Sequence, residues 1–196
     1  SRLRLLPLLL TLAFAAQAQQ PEPTAPANPP VNSAMDGELF YQLLLGEFST
    51  QRGEAGVGYS LVLDAARKTN DARLYQRAVE IALQSRAGES ALQAARAWKQ
   101  AQPASRDANR YVLQILIGLN RLDETVEPLR REVTLAESRE RNLTIATLPA
   151  YFVRSSDKKL AAEVLEQALE ESLRNTTQGP SAWSAVGRMR LEAGDS

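Results

Sequence analysis

Apolar residues fall along this chain in helical stripes, and the stripes themselves recur about every 34 residues. Leu74, Tyr75, Ala78, Val79, Ala82 and Leu83 make one such stripe; Tyr111, Val112, Ile115, Leu116 and Leu119 make another; Leu160, Ala161, Val164, Leu165, Ala168 and Leu169 a third. Each places its oily side chains on one face of a helix, and no run alternates in the manner of a strand. A hairpin with one apolar face cannot hide that face alone, so the recurrence predicts units stacked in a line. The expected class is all-α, with helices near 37–51, 55–69, 72–86, 90–101, 106–119, 123–137, 141–154, 158–174 and 181–193.

Punctuation supports this reading. Asp36, Asp71, Ser105 and Ser156 stand before apolar-periodic segments as predicted N-caps, and Gly53, Gly88, Asn120 and Gly194 stand where a helix is predicted to end in a left-handed turn. Pro128 and Pro149 fall inside predicted helices, where a proline removes a donor and clashes with the preceding turn. The helices holding them are therefore expected to start late or to kink, making the third and fourth units the least regular. Trp98 and Trp183 sit at stripe positions and are expected to anchor the core.

The first 35 residues read differently. Ser1-Arg2-Leu3-Arg4, the apolar run Leu5–Ala16 and the small residues Ala16 and Ala18 have the order of a secretory signal peptide, with cleavage expected after Ala18. The run is shorter than the ~20 residues of a spanning helix. Residues 19–35 hold five of the ten prolines and no periodic apolar residues, as expected of a solvated, disordered tether. An array from 36 to 196, its last unit stopping part-way, completes the expected organisation, with further repeats or domains expected past residue 196.

Charge and composition narrow the function. The 23 basic and 23 acidic residues balance, and the arginines are scattered among glutamates, so no basic field is predicted to hold nucleic acid or anionic lipid. With no Cys and no His, zinc sites of the Cys/His kind, cysteine nucleophiles and Ser-His-Asp triads cannot be built from this chain. No cofactor or metal is expected. Glu163, Glu166, Glu170 and Glu171 read as a solvated helix face, and Asn142-Leu-Thr and Asn175-Thr-Thr as chance glycosylation patterns.

The repeat resembles the tetratricopeptide repeat. Trp183, Val186, Gly187, Gly194 and Asp195 match the first half of its pattern, and Leu45, Gly46, Gly53, Glu54, Gly58 and Ala65 match most of one unit. The other units carry Tyr75, Ala91 and Pro103; Leu122 and Leu129; and Ala161, Leu165 and Ala168. Units starting near 39, 72, 106, 142 and 180 differ by 33, 34, 36 and 38 residues. The resemblance implies an α-solenoid of stacked antiparallel helix hairpins, in which the small residues Gly46 and Gly58 let two backbones approach.

It also implies a concave face, lined by the first helix of each unit, that binds segments of partner proteins. The residues expected there are Gln76, Glu80, Arg110, Gln114, Arg154 and Arg188, with Phe40, Leu43 and Glu47 in the first unit. Leu43 and Glu47 stand where the family's clamp for chaperone tails needs Lys and Asn, so that use is not expected. Together with the leader, Leu45-Gly46-Glu47-Phe48 and Ala91-Leu92-Gln93-Ala94-Ala95-Arg96 are similar to exported repeat proteins of Gram-negative envelopes, including adaptors for a processing protease. The function expected is a non-enzymatic periplasmic scaffold for other envelope proteins. The alternatives are a targeting domain of a larger envelope enzyme, or an assembly factor for pili, secretion or polysaccharide export.

Overall fold

The structure, a computed structural model, describes residues 37–194. The expected signal peptide, the tether, the Asp36 cap and Asp195 lie outside the described residues. Ten helices follow one another: α1 Gly37–Gln51, α2 Ala55–Thr69, α3 Ala72–Gln84, α4 Gly88–Ala101, α5 Arg106–Gly118, α6 Val126–Leu135, α7 Arg141–Thr147, α8 Lys158–Ala168, α9 Glu170–Arg174 and α10 Gly179–Ala193. Tight 3-10 segments at Leu122–Thr125 and Leu148–Phe152 precede α6 and follow α7. No strand occurs among the described residues.

From α1 to α6 each helix packs on the next in sequence, across connections as short as residues 52–54 and 70–71. Loops of that length leave neighbouring helices antiparallel. Further along, α8 packs on α6, and α10 closes over α7, α8 and α9. The described chain is thus an all-α stack of antiparallel hairpins with a tetratricopeptide-like layout.

Its interior is two successive cores and not one centre. The first joins Val62, Tyr75, Val79, Ile81, Leu92, Trp98, Val112 and Leu116; the second joins Leu113, Leu122, Leu129, Ile145, Leu148, Phe152, Leu165 and Met189. Helix α5 belongs to both, sending Val112, Ile115 and Leu116 one way and Leu113 the other. Polar ties repeat the same logic. Tyr59 Oη donates to the Ser90 carbonyl at 3.0 Å, Gln102 Nε2 to the Asn70 carbonyl at 2.7 Å, and Arg121 pairs with Glu89 at 3.0 Å, each joining residues about one unit apart.

Local chemistry explains the helix ends. Asp71 accepts from the Arg73 amide at 2.8 Å and Ser105 from the Ala108 amide at 3.2 Å, capping α3 and α5 as predicted. For α8 the cap is Asp157, which accepts from Leu160 N at 2.8 Å, and not Ser156. Gly53, Asn120 and Gly194 take positive φ as predicted, but Gly88 begins α4 and the left-handed residue before it is Arg86, at φ 58°. The helix holding Pro128 starts late, as expected, whereas the one holding Pro149 starts on time and ends early. Pro128 sits in the first turn of α6, where its missing donor is harmless, and Pro149 falls in the 3-10 segment that ends α7 early. The predicted helix 158–174 is interrupted at Leu169, whose amide is shared between the Leu165 and Glu166 carbonyls.

Trp98 is buried, whereas Trp183 is 59% exposed. The reason is angular: α10 buries Ala182, Ala185, Val186 and Met189, and Trp183 turns off that face. Gly46 and Gly58 mark a close crossing of α1 and α2, as predicted. A Cβ on Gly58 would stand 2.7 Å from the Gly46 carbonyl oxygen and 2.0 Å from Thr50 Oγ1. Because one of those atoms is backbone, relief requires the helices to part. Gly58→Leu should therefore lower stability by about 1–3 kcal/mol, while Gly187→Ala, with open space around its Cβ, should raise it by about 0.5–1 kcal/mol. Urea unfolding of both variants checks this pair of opposite signs.

Candidate functional site

Between α5 and the segment following α7 lies an open cleft of about 670 Å³. Its walls are Gln114, Ile117, Gly118 and Asn120 on one side and Ala150, Tyr151, Val153, Arg154, Ser155 and Ser156 on the other. Two of the predicted partner-contacting residues, Gln114 and Arg154, therefore meet at one place. Both are exposed. The Pro149 break makes this geometry, because the 3-10 turn Leu148–Phe152 carries the chain past α5 and leaves Val153 and Arg154 outside any helix. Lys158 fixes that segment from below, its Nζ donating to the Phe152 and Val153 carbonyls at 2.8 Å each.

Behind the cleft sits a buried charge. Glu132, on α6, is 1% exposed and its carboxylate receives Arg106 Nε at 2.7 Å, Arg110 Nε at 2.9 Å and Asn109 Nδ2 at 3.2 Å. Asn109 Nδ2 also donates to the Pro128 carbonyl at 2.9 Å, and Arg106 Nη2 to Thr144 Oγ1 at 3.1 Å. Several donors around a carboxylate withdrawn from water offset the cost of burying it. Burial works against the charge of Arg110, yet the hydrogen bond and charge of Glu132 outweigh it, leaving its pKa raised. Burial and then the Glu132 charge push the Tyr151 hydroxyl up, so it stays protonated at neutral pH. The predicted Arg110 thus lies beside the cleft's Tyr151, tied to α6.

The remaining predicted residues are elsewhere on the stack. Gln76 Nε2 donates to Glu80 Oε1 at 2.9 Å on α3, Glu80 lies 3.8 Å from Arg77, and Arg188 is exposed on α10. None of the three lines the cleft. Glu47 is held by Arg77 through Nε and Nη2 at 2.7 and 2.6 Å, joining the first helices of two successive units. Glu132, Tyr151 and Lys158 were not among the residues expected at a site. Only Glu132 leaves a trace in the sequence, as a charge set within the stripe Leu129, Val133 and Ala136.

The cleft offers apolar contact from Ile117, Tyr151 and Val153 beside the donors of Gln114, Asn120 and Arg154. That combination suits an extended peptide with an acidic or carbonyl group near an apolar side chain. Among the described residues, no group of three or more His, Cys, Asp or Glu side chains is placed to hold a metal ion, and no helix is long and apolar enough to cross a membrane.

No family model matches the chain, and no curated protein does. Among solved structures it is similar to MamA, residues 41 to the end, from Desulfovibrio magneticus RS-1, at 12% identity over 83% of this chain and 89% of that one, with a TM-score of 0.48. A second MamA structure is 12% identical over 82% of this chain and 88% of its own, with a TM-score of 0.46. A MamA RS-1 double mutant is 10% identical over 83% of this chain and all of its own, with a TM-score of 0.47.

Two variants test the electrostatics. Glu132→Ala strands two arginines without their carboxylate and should cost about 3 kcal/mol, the low end for a broken buried pair because both arginines reach solvent; chemical denaturation reads it. Glu47 has its pKa lowered, first by the Arg77 hydrogen bond. A carboxyl depressed in the folded state contributes stability above its unfolded pKa and loses it as pH falls through the depressed value. Stability should therefore decline below about pH 4, and Glu47→Gln should flatten the decline in unfolding curves recorded down that range.

Proposed function

We propose that this chain is a non-enzymatic scaffold or adaptor of the bacterial periplasm, which holds an extended segment of another envelope protein in the cleft between α5 and residues 150–156. The observation that carries this reading is the convergence of Gln114 and Arg154 over the apolar patch of Ile117, Tyr151 and Val153. The leader-like residues 1–18 support export, and the lack of Cys and His fits a protein that works by shape and polar contact. A processing protease is one class of partner such an adaptor serves.

In this mechanism an apolar side chain of the partner packs beside Tyr151 and Val153. Arg154 pairs with an adjacent carboxylate, while Gln114 exchanges hydrogen bonds with the partner's backbone. The Lys158 clamp and the Glu132 cluster keep the walls in place before the partner arrives, so less ordering cost falls on binding.

Affinity capture of the exported protein from an envelope extract tests the reading, with Arg154→Glu compared against Arg67→Glu, an exposed arginine on α2 that does not line the cleft. Recovery of the principal partner should fall about tenfold or more for Arg154→Glu and stay level for Arg67→Glu. Equal recovery in both removes the cleft as the docking site.

A further inference from the structure

Helix α1 carries a second surface, unrelated to the cleft. With 3.6 residues per turn, Phe40, Tyr41, Leu44, Leu45 and Phe48 share the face of α1 turned away from α2, and they are 41–66% exposed. The opposite face is the one used in the stack, through Leu39, Gly46 and Ser49. Scattered exposed apolar residues are ordinary in proteins; five on one helical face are not.

The charges beside this stripe have a particular order. Glu38 lies in the first turn, and Arg52 continues the last turn, its amide donating to the Phe48 carbonyl at 3.0 Å. Leu45 is midway between them in sequence, and at 100° per residue both fall on the same flank of the stripe. Both are exposed, and neither is in an ion pair among the described residues. If two copies of α1 are laid antiparallel about a two-fold axis near Leu45, Phe40 and Tyr41 of each meet Phe48 of the other. Glu38 of each then meets Arg52 of the other, on both sides of the axis. A two-fold axis requires a surface complementary to itself, and this one is.

The area is sufficient. Taking roughly 200 Å² for a fully exposed aromatic side chain, the stripe offers on the order of 500 Å² per copy. Two copies then bury about 1,000 Å², the lower bound of a specific interface.

We propose that the occupant of this stripe is a second copy of the same chain, docked α1 to antiparallel α1, with Glu38 and Arg52 setting the register. No residue of the stripe lines the α5 cleft, so the two surfaces use different side chains.

Sedimentation equilibrium of the full chain tests this. The wild type should dimerise with a dissociation constant below about 100 µM. Leu45→Glu should give a monomer of unchanged helicity by circular dichroism. Glu38→Arg and Arg52→Glu should each weaken the dimer by about tenfold or more, since each sets like charges opposite one another twice. Mixing these two single variants should restore a heterodimer of near wild-type affinity, because every charge then faces its opposite. A wild type monomeric at about 200 µM overturns the proposal, whether the stripe is covered by residues 1–36 of the same chain or taken up by added phospholipid vesicles. A dimer that survives Leu45→Glu overturns it too, as does a mixture no tighter than the single variants alone.

Discussion

Everything in this molecule depends on each hairpin lending its neighbour the apolar surface that the neighbour lacks. Helix α5 shows the constraint in one element, with Val112 and Leu116 completing the core before it and Leu113 joining the core after it. Burial of a leucine or valine side chain is worth about 1.5–3 kcal/mol, and no single hairpin here could collect enough of it to offset its own ordering entropy. Stability is therefore a property of adjacency, summed interface by interface along the chain.

Adjacency also determines where irregularity is tolerated. The first two hairpins are close and regular, tightened by the Gly46–Gly58 crossing and by the Glu47–Arg77 tie. Beyond α5 the packing rests on a polar centre, in which Glu132 collects donors from Arg106, Asn109 and Arg110. That centre holds α5 to α6 beside the place where Pro149 breaks the following helix. The broken helix opens the cleft, and the buried carboxylate ties α5, one of its walls, to α6. Irregular backbone and a candidate binding surface thus have the same origin.

Much of this was legible in the residues. Gly46 and Gly58 could be read as a backbone crossing because glycine inside a helix costs about 1 kcal/mol relative to alanine, and a recurrent cost implies a steric reason. Asp71 and Ser105 could be read as caps because a short side-chain acceptor before an apolar period has few other uses. The errors are equally physical. Ser156 and Asp157 are both competent caps, so sequence cannot choose between them. Gly88 drew the left-handed turn to itself, while Arg86 adopts it two residues earlier. Trp183 reads as a stripe position, although one step of 100° from the buried Ala182 turns it outward. At the cleft, the periodicity leaves Gln114 off the buried stripe of α5, but its meeting with Arg154 was not legible, since it depends on how far the 3-10 turn advances the chain. Glu132 shows in the sequence only as a charge within the stripe Leu129, Val133 and Ala136; its partners do not, because they lie 22 to 26 residues away.

The ties between Tyr59 and Ser90, Asn70 and Gln102, and Glu89 and Arg121 span nearly equal lengths of chain. Entropy lost in closing a loop grows only with the logarithm of its length, so each closure costs about the same modest amount, and none must wait for the two ends of the chain to find each other. Folding can begin at any hairpin and spread by small, similar steps, with short contact distances favouring speed. A chain built this way meets no single late bottleneck at which most of its apolar surface lies bare.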